Sequence, residues 1–347
     1  MKQKDEGKYS VQTVKKGHLW NGYLVIIIGL VLLALMMVFS LTKGGTEIPL
    51  KIVWNALFHF DIENIQHLVV IDLRLPRIIA SSLVGAAFAV AGAVMQGITR
   101  NPMADSGLMG LNSGAVFALS ICFSFFPSMN YGQIVLFSFL GASIGAGLVQ
   151  GIAFIGGGRD THIRLILAGV AVSSLFSSLG QGIALYFNVS QNIMFWTVGG
   201  VASSNWEQIK IMTPWIIGAL TGAIVLSRWI SILSLGEDVA KGLGLNVAVI
   251  YGLCTIVILI LAGISVSVVG AVGFVGIIIP HASRFLVGMD YRLVIPSSAV
   301  LGSLLMVVAD IGARMINPPF ETPIGVLTAL VGVPFFLYLS RKQRRTL

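Results

Sequence analysis

The sequence has little charge. Asp, Glu, Lys and Arg make up 10% of its 347 residues, whereas 56% of the residues are hydrophobic. The apolar runs are hydrophobic all round, which suits helices that face lipid and each other rather than water. The net charge of +8 would suggest nucleic acid for a soluble protein, but the basic residues lie between the apolar runs. We therefore expect a membrane protein with basic residues at its cytoplasmic surface and no nucleic-acid partner.

Cysteine and recognisable catalytic motifs are also scarce. The two cysteines, Cys122 and Cys254, both lie in apolar runs, so we expect reduced, buried thiols and no disulfide framework. The sequence contains no HExxH motif, no Cys/His cluster, no nucleophile elbow and no Walker loop. We therefore expect that the chain is not an enzyme, needs no cofactor or metal, and lacks the usual ATP site.

Acidic residues inside the apolar runs are few, and Asp310 is the main one. Arg314 follows four residues later, so a local ion pair on one helix is an adequate structural explanation for it. Proton- and sodium-coupled transporters usually keep ionisable groups at mid-membrane. A membrane protein without such chemistry can take its energy from a partner, although an ion-coupled secondary transporter stays open as an alternative.

The apolar runs predict an all-α polytopic protein of the cell membrane with about ten spans. Residues 1–22 form a polar tail, residues 23–340 the transmembrane domain, and residues 341–347 a basic tail. Most Lys and Arg residues lie on the side of the N-terminus, which predicts that both termini are cytoplasmic. The seventh and eighth runs nearly merge at residues 270–273, which leaves nine or eleven crossings open. The predicted spans are 23–42, 75–98, 106–126, 133–155, 163–187, 208–230, 247–269, 271–289, 293–315 and 323–340.

The order of the spans fits an inverted repeat. Spans two to five start outside and spans seven to ten start inside, and two four-span blocks of opposite orientation are a common transporter plan. Small residues spaced by four also predict close packing of helices within the protomer, with a dedicated dimer motif as the alternative. These pairs are Gly110/Gly114, Gly141/Gly145, Gly147/Gly151 and Gly218/Gly222.

Three arginines lie on the predicted outer side, against the overall bias of basic charge. Arg74 and Arg77 precede and begin the second span, and Arg314 lies near the outer end of the ninth. A lone arginine at such a place is often an interfacial residue whose charged head reaches the headgroups. Three together favour an acidic docking partner, because a guanidinium group pairs with a carboxylate through two hydrogen bonds.

The predicted inner loop at 235–244 suits one short helix with acids in its first turn and glycine at its end. A solvated turn is one interpretation, and an element that inserts into a groove on another protein is the other. The candidate residues are Gly236, Glu237, Asp238, Ala240, Gly242 and Gly244.

A polar stripe lies in the fifth span, where four polar side chains share one helix face. Hydrogen bonds to a neighbouring helix and the lining of a polar path are both compatible with this spacing. The four residues are Ser174, Ser177, Ser178 and Gln181.

Several tracts of the sequence, such as LRLPR at 73–77 and TRNPMAD at 99–105, resemble the FecCD family of permease subunits. These permeases belong to ATP-driven importers of iron–siderophore complexes, haem and cobalamin. The resemblance covers nearly the whole chain, and residues 320–323 and 334–339 are most similar to the siderophore permeases. The remaining tracts that carry it are 84–87, 92–97, 107–110, 235–244, 273–276, 280–281 and 332–333.

The resemblance implies a division of labour. An extracytoplasmic substrate-binding protein would dock on Arg74, Arg77 and Arg314, and a cytoplasmic P-loop ATPase would receive the coupling helix at 236–244. A second permease subunit, identical or similar, would complete the pore. The fifth span would line the translocation path, and the link around 156–164 would close its inner end. The expected substrate is a ferric siderophore, with haem or cobalamin as the alternative.

Overall fold

The computed structural model describes residues 17–44, 46–155, 161–198, 200–317 and 320–343. Within these ranges the chain is helical and contains no strand. The predicted N-terminal tail, most of the basic C-terminal tail and most of the predicted inner gate lie outside the described residues. The helices are α1 Gly17–Thr42, α2 Leu50–Phe58, α3 Ile65–Leu68, α4 Leu75–Thr99, α5 Leu111–Phe125, α6 Tyr131–Ile155, α7 Thr161–Tyr186, α8 Ser190–Val198, α9 Trp206–Ser234, α10 Glu237–Gly242, α11 Val247–Val269, α12 Val275–Val287, α13 Tyr291–Met315 and α14 Ile324–Gln343.

The apolar helices coincide with the ten predicted spans. In the described part of the chain, seven helices are long and apolar enough to cross a membrane, and three shorter apolar helices, α5, α12 and α14, occupy the other three predicted spans. The seventh and eighth runs form two separate helices, because α11 ends at Val269 and α12 begins at Val275. The predicted inverted repeat and the side on which the termini lie stay predictions.

Helix α4 is the centre of the bundle. In the helical segment Ile65–Thr99, to which α4 belongs, 83% of the residues of the most apolar stretch are buried. Helix α4 is rich in alanine and glycine, so neighbouring backbones approach it closely, and van der Waals packing of this kind drives helix association in lipid. A Cβ placed on Gly85 would lie 2.2 Å from the carbonyl oxygen of Gly302 on α13. One placed on Gly92 would lie 2.0 Å from that of Gly276 on α12. Any larger residue at these positions would therefore separate the helices.

Two of the four predicted glycine pairs pack helices within the chain. A Cβ on Gly114 of α5 would lie 2.3 Å from the carbonyl oxygen of Gly141 on α6, and Gly110 approaches Gly145 in the same way. The prediction of close packing within the chain is wrong for the other two pairs. Gly147, Gly151 and Gly218 face open space in the described structure, and Gly222 has an ordinary contact with the Val257 side chain.

Several helical elements lie in links for which the sequence predicted no helix. The short helices α2 and α3, followed by a π-helical segment at Val69–Arg74, connect α1 to α4. Helix α8 lies between α7 and α9, where the sequence predicted only a link. These elements form the connections at the predicted outer end of the bundle and pack against its helices.

Candidate functional site

The three predicted arginines meet at one end of the bundle. Arg74 is the last residue of the π-helical segment, Arg77 lies in the first turn of α4, and Arg314 lies in the last turn of α13. Asp310, one turn before Arg314, lies between Arg77 and Arg314. We refer to Arg74, Arg77, Arg314, Asp310 and Glu321 as the arginine cluster.

Asp310 is fully buried and pairs with two of the arginines. Its Oδ1 accepts a hydrogen bond from Nε of Arg77 at 2.7 Å, and its Oδ2 forms an ion pair with Nη2 of Arg314 at 3.0 Å. The local ion pair expected between Asp310 and Arg314 is therefore confirmed. The second acid of the cluster, Glu321, accepts a hydrogen bond from Nη1 of Arg77.

Two arginines of the cluster also bind the C-terminal end of α1. Arg74 donates to the carbonyl oxygen of Leu41 at 2.7 Å, and Arg314 donates to that of Lys43 at 3.0 Å. The last carbonyl groups of a helix have no partner within the helix, and a cation there is favourable. Arg74, Arg77 and Arg314 are consequently only 6–8% exposed. In this conformation the chain uses their guanidinium groups internally, and of these contacts only the Arg314–Asp310 pair was expected from the sequence.

The predicted short helix in the inner loop is confirmed as α10, with Glu237 and Asp238 in its first turn. Gly236 precedes it at φ +134° and Gly244 follows it at φ +79°, so both ends use backbone conformations that favour glycine. Ala240 is fully buried against the bundle, and Gly242 faces open space. The large apolar side chains of Leu235, Val239 and Leu243 are exposed around it. The segment therefore presents an apolar surface to a partner or to solvent.

A tyrosine that sequence reasoning missed connects α10 to the central helix. The hydroxyl of Tyr251 on α11 donates to the carbonyl oxygen of Ile98, near the end of α4, at 2.6 Å. The hydroxyl oxygen of Tyr251 also lies 3.3 Å from Oε1 of Glu237. Nothing in the sequence indicated this contact, because Tyr251 and Ile98 are 153 residues apart.

The polar stripe of the fifth span lies on the surface of α7. Ser174, Ser178 and Gln181 are exposed and Ser177 is partly exposed. Their side chains form no hydrogen bond within the part of the chain that the structure describes. The first interpretation, hydrogen bonding to a neighbouring helix of the same chain, therefore has no support among the described contacts.

A cavity of about 500 Å³ lies beside the arginine cluster. Arg77 and Glu321 form part of its wall, and Gln191, Met194 and Phe195 of α8 form another part. Helix α8 is fixed by Trp196, whose indole Nε1 donates to the carbonyl oxygen of Ser267 at 3.0 Å. Sequence reasoning missed α8. The residues of this helix lie between two predicted spans, in a segment that was predicted to be only a link.

Comparison with known proteins identifies the family. The model of the FecCD transport family matches residues 32–342. The iron(3+)-hydroxamate import system permease protein FhuB of Bacillus subtilis is 48% identical over 330 residues, which cover 94% of this chain and 85% of FhuB. The iron-uptake system permease protein FeuB of the same organism is 37% identical over 311 residues, which cover 90% of this chain and 93% of FeuB.

The fold also matches a solved structure. A metal-chelate type ABC transporter in an inward-facing conformation superimposes with a TM-score of 0.81 at 30% identity, over 92% of this chain and 99% of that chain. The apolar helices described above make this chain a multi-pass protein of the cell membrane. With the family match over nearly its whole length, the chain belongs to the FecCD transport family.

Proposed function

We propose that this chain is the transmembrane permease subunit of an ABC importer that carries a ferric siderophore into the cytoplasm. The observation that carries the proposal is the 48% identity to an iron(3+)-hydroxamate permease over 94% of the chain. Ferric hydroxamates are therefore the first substrates to test, and haem and cobalamin are the alternatives. A separate P-loop ATPase supplies the free energy.

The translocation path is formed by two permease subunits, as a homodimer or with a similar chain. The exposed polar stripe of α7, at Ser174, Ser177, Ser178 and Gln181, supports a place for this helix beside the path. A polar stripe on a helix is costly against lipid, whereas it is well solvated along a water-filled path. Weak contacts of hydroxyl and amide groups suit a large chelate that a binding protein has already selected.

Helix α10 is the coupling helix that contacts the ATPase. Its support is the combination of a buried Ala240 with exposed Leu235, Val239 and Leu243, which lets the helix dock on a groove while it stays fixed to the bundle. Movement of the ATPase would be transmitted from α10 to α4 through Tyr251, which contacts both helices.

This coupling role is tested by making the exposed apolar surface polar. The double variant Val239→Ser, Leu243→Ser should lower the yield of the complex with the ATPase at least several-fold, because the burial of apolar surface drives most protein–protein association. Met289→Ser is the matched control, since Met289 is 74% exposed in another loop on the predicted inner side. Equal yields for the double variant and the control would refute the assignment of α10.

The arginine cluster is the docking site of the binding protein, whose carboxylates would pair with Arg74, Arg77 and Arg314. Charge reversal of Arg74 and Arg77 is a poor test of this role, because both residues are buried and hold the structure together. A variant that changes an exposed member of the cluster separates docking from folding, and Glu321 is that member.

The first experiment is purification of the tagged chain in mild detergent, with identification of the proteins that accompany it. A stoichiometric P-loop ATPase supports the importer.

A second experiment measures uptake in cells. Uptake should continue under a protonophore while ATP is maintained, and ferric hydroxamate should compete better than haem or cobalamin. A chain that purifies alone and transports in liposomes under an ion gradient would instead be a secondary transporter.

A further inference from the structure

The two acidic partners of Arg77 differ in their exposure to solvent. The Asp310 side chain is 1% exposed, whereas the Glu321 side chain is 46% exposed. An ion pair that is half in water contributes little and exchanges readily, whereas a buried pair is costly to break. Of the two acids, Glu321 is therefore the one that another carboxylate can replace.

The charges of the arginine cluster set a condition on this exchange. The cluster contains three guanidinium groups and two carboxylates, so it carries one net positive charge, and both carboxylates pair with Arg77 or Arg314. If Glu321 leaves, a buried guanidinium group loses a partner, which is unfavourable in a low-dielectric surrounding. Glu321 is consequently expected to leave more readily when another carboxylate takes its place on Arg77.

Glu321 also lies at a place where its departure would change the structure. It belongs to the segment 320–323, which leads directly into α14. Glu321, Thr322 and Pro323 line the cavity beside the cluster. Besides the Arg77–Glu321 bridge, this segment is held by a hydrogen bond from the Thr322 amide to the carbonyl oxygen of Ala313 at 3.2 Å.

We propose that Glu321 occupies the position on Arg77 that a carboxylate of the extracytoplasmic binding protein takes on docking. The incoming carboxylate accepts the hydrogen bond from Nη1 of Arg77, and Glu321 moves out with the segment 320–323. Docking thereby loosens the wall of the cavity next to α8. This inference rests on the proposed function, because it requires a binding protein that docks at the arginine cluster.

The test compares two neutralising variants on the same predicted side of the membrane. Glu321→Gln removes the internal competitor, and Glu47→Gln is the matched control. Glu47 is 77% exposed and pairs with Lys43, and this partner lowers the pKa of its carboxyl group, so the carboxylate is charged at neutral pH. Both variants raise the net charge equally, so general attraction of an acidic protein changes alike in both.

The probe is the binding protein that supports uptake through this permease, titrated onto the permease–ATPase complex in lipid nanodiscs. Glu321→Gln should bind it about 2- to 5-fold more tightly than wild type, as expected when a half-exposed ion pair no longer competes. Glu47→Gln should differ much less. Co-elution with the ATPase shows that each variant is folded.

A thiol at the cavity wall supplies a second measurement that needs no binding protein. Cys122 and Cys254 are both buried, so background labelling is low. In the Thr322→Cys variant, a membrane-impermeant maleimide labels the new thiol at position 322. Labelling should be several-fold faster when Glu321 is also replaced by Gln. With Glu321 intact, addition of the binding protein should likewise make labelling several-fold faster.

Each failure has a distinct meaning. If wild type does not bind any such protein at this site, the proposed docking fails and this inference fails with it. If wild type binds but Glu321→Gln binds equally or more weakly than Glu47→Gln, the exchange is refuted while the importer assignment stands. Equal labelling rates at position 322 would also refute it.

Discussion

Replacing Asp310 by asparagine removes the negative charge that Arg77 and Arg314 share. The new side-chain amide can still accept one hydrogen bond from Arg77 through its oxygen. Its NH2 group would then face Nη2 of Arg314, which is also a donor. The substitution therefore leaves the buried guanidinium group of Arg314 without a carboxylate partner and raises the net charge of the cluster from one to two.

The expected cost follows from burial. Side chains of Asp310, Arg77 and Arg314 are at most 8% exposed, and breaking a pair of this kind costs about 3–5 kcal/mol. The matched control is Glu321→Gln, which neutralises the other acidic partner of Arg77. Because Glu321 is 46% exposed, that substitution should cost about 0.2–1 kcal/mol.

The assay is thermal unfolding in detergent, followed by size-exclusion chromatography of the tagged protein. At about 2 °C per kcal/mol, Asp310→Asn should lower the apparent Tm by about 6–10 °C and Glu321→Gln by about 2 °C or less. Both variants are heated at the same rate, because irreversible unfolding makes the apparent Tm depend on the rate. Equal shifts for the two variants would refute the argument that burial determines the strength of these pairs.

Two further predictions concern α4. Tyr251→Phe removes the hydroxyl that joins Glu237 of α10 to the end of α4. If α10 is the proposed coupling helix, the ATPase should still bind while substrate uptake per ATP hydrolysed falls several-fold. An unchanged ratio would exclude a coupling role for Tyr251. Gly92→Ala places a Cβ 2.0 Å from the carbonyl oxygen of Gly276, so the yield of folded protein should fall sharply, whereas Gly218→Ala, which faces open space, should express as wild type does. Similar yields for both alanine variants would contradict the close helix contact.

The positions of the spans could be predicted from the sequence because they depend on a local property. The hydrocarbon thickness fixes the length of an apolar run, whatever the rest of the chain does. The seventh predicted span, 247–269, coincides with α11. The short helix α10 could also be predicted, since its acids and glycines lie within ten residues of one another. Helix α8 has nine residues and a mixed composition, so no local signal separated it from a loop.

The burial and the partners of the three arginines were decided by the tertiary structure. The sequence indicated that Arg74, Arg77 and Arg314 act together, and the local pair of Arg314 with Asp310 followed from their spacing. It gave no sign that Arg77 meets Asp310 across 233 residues, or that Arg74 binds the end of α1. Burial of a charged side chain depends on which helices approach it, and the approach depends on small residues on other helices. The same glycine spacing packs α5 against α6 at Gly114 and Gly141 but leaves Gly147 open, because a pattern on one helix does not specify its neighbour.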